Sequence, residues 1–304
     1  MKARGYLRAA VACGFAVMVA GCGLAEAPLI DPAGPQALAE RNLLFTALAL
    51  MMLVVIPVFA MTFFFILRYR ASNRTARYEP DWSYSGLVDT IIWIVPALIV
   101  ISLGVLLWNA THRLDPYKQL HTKEEALEVQ VVAQDWKWLF IYPEQGVASV
   151  NELAFPSDRP LSLRITSDTV MNSFHIPALA GQIYAMAGMQ TRLNLLADAP
   201  GTFTGRNVQY SGDGFSGQHF KAIAQTGEDF QDWVEQARQA SDSLDADSYK
   251  ALAKPSSNHP VTYYADVKAN LFQDIISKYA PRPGPPSAQA SVTPESAVES
   301  RNAR

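Results

Sequence analysis

Two membrane-spanning α-helices, an exported antiparallel β-sandwich and a group of C-terminal helices are the architecture the sequence predicts. Three observations carry it. Nearly all long apolar runs of the 304 residues fall before position 110. From Leu127 onward, short segments alternate apolar and polar residues between turn signals, as half-buried strands do. After about position 227 the apolar period lengthens to that of a helix. A formal net charge of −3 excludes the broad basic field that a nucleic-acid partner would require.

The N-terminus has the make-up of an export signal over residues 1–21. Lys2, Arg4 and Arg8 form a positive region, residues 9–20 are apolar, and small residues precede Cys22. The run Val19-Ala20-Gly21-Cys22 resembles the lipobox of bacterial lipoproteins. That resemblance implies cleavage before Cys22 and diacylglycerol on its thiol; the alternative is an ordinary secretory signal with an incidental cysteine. Cys13, the other of the two cysteines, leaves with the signal. The exported part then has neither a disulfide nor a thiolate ligand beyond Cys22.

After a short segment over residues 22–42, residues 43–67 carry no charge and are bracketed by Arg41 and Arg68. About 20 apolar residues, at 1.5 Å each, cross a hydrocarbon core of about 30 Å. Pro57 sits inside this run, tolerable where neighbours re-satisfy the freed carbonyl. Residues 87–108 are the second span, with Pro96 inside and Trp93 and Trp108 toward its ends. The connection over residues 68–86 carries Arg68, Arg70, Arg74 and Arg77. By the positive-inside rule it faces the cytoplasm. Cys22 and everything after residue 108 are therefore expected outside, in the periplasm of a Gram-negative inner membrane. Asp89 is the one ionisable side chain in the second span. It reads either as a carboxylate favoured by a helix N-terminus or as an acid at the mouth of a proton path.

The exported body is expected over residues 109–226. Residues 127–143, LEVQVVAQDWKWLFIYP, alternate and then become aromatic. Residues 154–160 read as punctuation, residues 161–165 and 191–196 as strands, and residues 199–201 as a turn. Gly205, Gly212, Gly214 and Gly217 crowd a loop ahead of a strand at 220–224. Over residues 227–280, Phe230, Trp233, Val234 and Ala237 recur at helical spacing behind the acids Glu228 and Asp229. Residues 249–253 and 271–279 are further helical candidates, and the charges over 228–247 read as a solvated helix face. Residues 281–304, rich in Pro, Ser and Ala, are expected to be a disordered tail.

Two spans followed by an exported sandwich resemble subunit II of the haem-copper respiratory oxidases. The run Gln134-Asp135-Trp136-Lys137-Trp138-Leu139-Phe140-Ile141-Tyr142-Pro143 is similar to that family's aromatic stretch. Val170-Met171-Asn172-Ser173-Phe174-His175-Ile176-Pro177, then Pro200-Gly201 and the glycine-rich loop through Gly217, follow in the family's order. The resemblance implies a cupredoxin-like sandwich. It also aligns Asp89 with an acid associated with the K-type proton pathway.

One departure selects the branch. The copper-bearing members hold a dinuclear centre with two cysteines four apart, two histidines, a methionine and a carbonyl. Here Asn172 stands at the first histidine position, and Asn207 and Ser211 stand at the cysteine spacing. Amide and hydroxyl groups are poor substitutes for bridging thiolates on soft copper. His175 and His219 remain for a histidine-only site, although a core or surface role is the commoner one for such residues. Met186 and Met189 read as packing residues. The chain thus resembles the branch of cytochrome bo-type ubiquinol oxidases, which implies no metal in this subunit. That branch implies haem b, haem o and one copper in a partner subunit 1, further partner subunits 3 and 4, membrane lipid, and ubiquinol as the electron donor of the complex. Trp136 and Trp138 are then expected to pack the domain against subunit 1. Competing readings are a copper-bearing subunit fed by cytochrome c, and a stand-alone periplasmic binding lipoprotein.

Overall fold

The structure, a computed structural model, describes residues 27–75, 79–120, 122 and 124–279. The export signal, Cys22 and the tail lie outside the described residues. Helix α1 spans Pro35–Arg68 and helix α2 spans Gly86–Arg113. Pro35 opens α1, where its missing N–H is one that no helical carbonyl would have accepted. α1 therefore begins well ahead of the apolar run at 43 and continues through Pro57. In α2, Asp89 sits in the first turn and His112 and Arg113 in the last, each sign opposing the helix dipole. Their apolar side chains have no cover within the chain: Leu53, Phe63 and Ile92 each stand more than 60% exposed. Surfaces of this kind are stable only against lipid or a partner protein.

The exported body contains strands β1 (Leu127–Gln134), β2 (Lys137–Tyr142), β3 (Val147–Val150), β4 (Glu152–Pro156), β5 (Leu161–Ser167), β6 (Asn172–Ile176), β7 (Ala180–Ala185), β8 (Thr191–Leu195), β9 (Gly201–Asn207) and β10 (His219–Gln225). They are followed by helix α3 (Gly227–Arg238), strand β11 (Ser243–Leu244), helix α4 (Ala246–Leu252), strands β12 (Thr262–Tyr264) and β13 (Asp266–Val267), and helix α5 (Leu271–Ser277). One sheet has the order β12-β3-β2-β1-β5-β8 and faces a second with the order β4-β10-β9-β6-β7.

The sandwich is mixed rather than wholly antiparallel. β1 pairs parallel with β5, and β4 pairs parallel with β10. The chain changes sheets after β3 and returns at β5, which brings like-directed strands side by side. Alternation within one strand carries no information about the direction of its neighbour. Residues 154–160, expected to be punctuation, include the end of β4. Pro156 is tolerated there because β4 is an edge strand and Pro156 is its last residue. The C-terminal region is not purely helical either, since β12 extends the larger sheet through Tyr263↔Ser149.

Between the sheets lies an aromatic core. Trp138 meets Phe174 edge-on with centroids 5.3 Å apart, and Phe174 stacks on Phe220 at 5.0 Å. The outer face of the larger sheet has a second core, where Val132, Leu139 and Val150 are covered by Tyr249, Tyr264, Leu271, Phe272 and Ile275. Its cover is the C-terminal region. α3 buries Phe230, Trp233, Val234 and Ala237, the positions picked out by helical spacing. Its Trp233 Nε1 donates to Glu152 Oε1 at 3.0 Å, and the Tyr263 hydroxyl donates to the same oxygen at 2.5 Å. A buried carboxylate thereby ties α3 and β12 to β4.

The body is joined to both helices by backbone bonds. Ala33 N–H donates to Ala178 O at 2.8 Å, Ala37 N–H to Leu179 O at 3.2 Å, and Asp198 N–H to Ala33 O at 3.0 Å. At the other helix, the Asn194 side-chain amide donates to Pro116 O and Lys118 O, each at 3.2 Å.

Gly205 on β9 has no room for a side chain, because a Cβ there would lie 2.0 Å from Phe220 Cζ. Gly205→Ala must displace a core ring, at a cost of about 1–3 kcal/mol. A clear drop in the thermal midpoint of the detergent-solubilised protein is expected; an unchanged midpoint would show that the ring yields freely.

Candidate functional site

At one end of the sandwich the start of β6, the end of β9 and the loop over residues 208–218 converge. Asn172, Asn207, Ser211 and Gln218 meet there. Asn207 is the hub. Its Oδ1 accepts from the backbone amides of Ser173 at 2.8 Å and Gln209 at 3.0 Å, which fixes the orientation of the side-chain amide. Its Nδ2 then points inward and donates to Asn172 Oδ1 at 2.7 Å and Gln218 Oε1 at 2.9 Å, with Ser211 Oγ at 3.1 Å. Ser211 Oγ donates to Gln218 Oε1 at 3.0 Å, and Gln218 Nε2 donates to Gln134 O at 3.3 Å. Asn172 Nδ2 donates to Val170 O at 2.8 Å. Asn172, Asn207 and Gln218 are almost fully buried. Buried amides cost free energy unless paired, and here each of the three side-chain amides is paired through both of its polar atoms.

The structure therefore brings together the three positions singled out in the sequence and adds Gln218, which sequence reasoning missed. The donor set does not fit a copper pair. There is no thiolate, and an amide nitrogen directs N–H groups, not a lone pair, at the centre. The histidines are placed apart from this knot. His175 and His219 each lie directly across from Arg206 on the neighbouring strand β9. A guanidinium between them opposes a cation. Burial, and secondarily Arg206, push the His175 imidazole below its usual value of 6.5.

Trp136 and Trp138, expected side by side against a partner, have separate places. Trp138 is fully buried in the aromatic core and offers no surface to another subunit. Trp136 forms the β1–β2 turn at φ +65°, an uncommon conformation for a bulky residue. Its Nε1 donates to Ser211 O at 3.2 Å, and its ring covers Gly212 and Gly214. A Cβ on Gly214 would lie 2.3 Å from that indole, so the glycine permits the cover. Met189 is 53% exposed and does not pack. Instead the carbonyls of Met186 and Met189 accept from Thr166 Oγ1, at 3.3 and 2.7 Å.

A second cluster frames the knot from outside. Asp168, in the β5–β6 loop, accepts from the Tyr249 hydroxyl at 2.5 Å and from Lys278 Nζ at 2.9 Å, and its backbone carbonyl accepts from the Tyr279 hydroxyl at 2.8 Å. Lys278 Nζ also sits 4.9 Å from the centre of the Tyr249 ring. Burial and the Asp168 carboxylate push the Tyr279 phenol up to about 12. The C-terminal region thus grips the loop whose Val170 carbonyl receives Asn172.

Asp89 is exposed in the first turn of α2, roughly 36 Å from Arg113 along the axis at 1.5 Å per residue. It belongs to the opposite end of the molecule from the knot.

The family model of the COX Aromatic Rich Motif matches residues 238–282, the clamping C-terminal region rather than the aromatic run at 134–143. The sequence signal that could have found it is the density of Tyr249, Tyr263, Tyr264, Phe272 and Tyr279. The chain is 49% identical over 263 residues to cytochrome bo(3) ubiquinol oxidase subunit 2 of Pseudomonas putida, covering 86% of this chain and 83% of that protein. It is 47% identical over 266 residues to ubiquinol oxidase subunit 2 of Acetobacter aceti, covering 87% and 85%. Among solved structures it is similar to the periplasmic domain of subunit II of cytochrome oxidase of Bradyrhizobium japonicum, at 21% identity and a TM-score of 0.37 over 39% of this chain and 98% of that one. The two oxidase relatives define a second subunit of a respiratory quinol oxidase, a complex that is enzymatic as a whole. Within that class the chain belongs to the family of subunit 2 of cytochrome bo(3) ubiquinol oxidases.

Two outcomes follow from the site. Asn207→Leu strands the Asn172 acceptor and the Ser173 amide, whereas Gln218 Oε1 keeps Ser211 Oγ, so a loss of roughly 2–6 kcal/mol is expected at about 1–3 for each of the two groups; chemical unfolding of the oxidase monitored by Trp fluorescence measures it. The depressed His175 pKa means that the unfolded chain binds this proton more readily. Its effect is absent well above pH 6.5, and stability is lost as pH falls through 6.5 and toward the lower folded-state pKa. His175→Gln should flatten that acid-side loss in a thermal-shift series, and an identical slope would remove His175 from the account.

Proposed function

We propose that this chain is the metal-free second subunit of a proton-pumping terminal ubiquinol oxidase, whose complex oxidises ubiquinol and reduces dioxygen to water in aerobic respiration. The single observation that carries this reading is the neutral amide knot. A position built from Asn172, Asn207, Ser211 and Gln218 has no thiolate and cannot relay electrons from a soluble haem protein. Reducing equivalents then reach the complex from the lipid phase, and the sandwich serves as a structural cover for subunit 1. Haem b, haem o and the single copper would reside in subunit 1 and supply the oxygen chemistry. What this chain supplies is anchoring, shape and a carboxylate at the membrane surface.

In this reading the Arg-rich connection between the helices faces the cytoplasm and the sandwich faces the periplasm. Asp89, exposed in the first turn of α2, then lies at the cytoplasmic side, where its charge is inexpensive. It would offer protons to a pathway in subunit 1. Cys22 would carry the lipid anchor, and subunits 3 and 4 would complete the assembly. Trp136, half-buried over the glycine loop, would be the aromatic residue that meets subunit 1.

The deciding experiment is the activity of the intact purified complex with ubiquinol and with reduced cytochrome c as donors, alongside its metal content. Turnover with ubiquinol only, and one copper per complex, is expected; a mixed-valence copper pair in this subunit would refute the reading. Asp89→Asn should slow ubiquinol turnover several-fold with haem content unchanged. Full turnover in that variant would remove Asp89 from proton uptake.

A further inference from the structure

Where the two membrane helices meet the sandwich, two cavities share a wall. The upper one, about 170 Å³, lies beneath β7 and β8 and is lined by Gln36, Glu40, Arg113, Asp115 and Lys118. The lower one, about 320 Å³, is an open cleft between α1 and α2, lined by Ala39, Leu43, Thr46, Leu106 and Ala110. Arg113 and Leu114 belong to both. A polar chamber thus adjoins an apolar cleft at the outer end of the helix pair.

The charges in the upper chamber are not spent on one another. Glu40 accepts the backbone amide of Gly181 and, among the described residues, makes no ion pair. Arg113 and Lys118 likewise have no carboxylate partner within 4.0 Å among the described residues. Gln36 Oε1 is buried with no donor. Two acids, Glu40 and Asp115, an orphaned acceptor and two cations around one chamber are complementary to a zwitterion: the ammonium end finds Glu40 and Gln36, and the phosphate end finds Arg113 and Lys118. The cleft below would take apolar chains.

We propose that this chamber and cleft bind one phosphatidylethanolamine of the outer leaflet, with its headgroup beneath the sandwich and an acyl chain between α1 and α2. The proposal rests on the membrane orientation given above. A primary ammonium is specified because it carries three N–H donors. A choline headgroup has none, and a glycerol headgroup has no positive charge to meet Glu40. The lipid would fill the space between helix pair and sandwich and complete the wet, charged side of that joint.

The test uses the assembled oxidase, purified in mild detergent and examined by native mass spectrometry, then reloaded from vesicles of phosphatidylethanolamine, phosphatidylglycerol or phosphatidylcholine. One retained phosphatidylethanolamine per complex is expected, displaced at least tenfold more readily after Arg113→Gln. Glu40→Gln should abolish the preference for ethanolamine over choline and glycerol headgroups. Leu106→Trp fills the cleft without touching a charge and should also eject the lipid, whereas Ile101→Trp, at a 62% exposed position about 140° round α2 from Leu106 and outside the cleft lining, should not. Equal retention of phosphatidylglycerol by the unaltered complex, or retention unchanged in all three binding variants, would overturn the proposal. Haem content separates the two failures: a complex that lacks haem contradicts the oxidase reading, and a haem-loaded complex without lipid selectivity contradicts only this one.

Discussion

The Asn207 side-chain amide is the constraint around which the rest of the exported body is arranged. Its oxygen is held by two backbone N–H groups, so its NH2 has a single orientation, toward Asn172 and Gln218. Those contacts join the start of β6, the end of β9 and the loop that leads to β10. A buried polar network of this kind is stabilising only when it is complete, and the surrounding elements complete it. Gln134 on β1 receives Gln218, Trp136 caps Ser211, and the Asp168 loop supplies Val170. The result is an ordered end of the sandwich held by amide and hydroxyl hydrogen bonds.

The C-terminal region has a related task. It covers the outer face of the larger sheet with Tyr249, Tyr264 and Phe272, and it grips Asp168 with Tyr249 and Lys278. The same segment therefore supplies a hydrophobic cover and locks the loop beside the amide knot. The match of the aromatic-rich motif to residues 238–282 falls on this clamp. Its aromatic content follows from the geometry, since a large flat sheet face is covered most economically by large flat side chains with polar tips.

Much of this was legible in the sequence, and the rest was hidden for identifiable reasons. The two apolar helices followed from length and charge alone, because no other environment suits such runs. α3 followed from the spacing of Phe230, Trp233, Val234 and Ala237. β4 was missed because Pro156 reads as a breaker unless its place at a sheet edge is known. β6 was missed because its Asn172 and Ser173 are polar yet buried, and β7 because Gly181 and Gln182 interrupt its apolar residues. At the site, Asn172, Asn207 and Ser211 could be named from spacing and resemblance, yet Gln218 and Gln134 could not. Their part in the knot depends on β1 and β10 lying in facing sheets, a non-local fact. The tandem tryptophans show the same limit: two residues apart, one is core and one is a lid, because Trp136 turns the chain with a positive φ.

The stitching of residues 33–37 beneath the sandwich has a mechanical consequence. Gly34 passes so close to Leu196 that a methyl group there would lie 2.2 Å from its carbonyl oxygen. With Asn194 bonded to the segment after α2, the body is seated on the tops of two posts rather than tethered by a string. Such a seating leaves no swivel. A load applied to the sandwich would be transmitted as tilt of the helix pair, and the far end near Asp89 would feel the displacement.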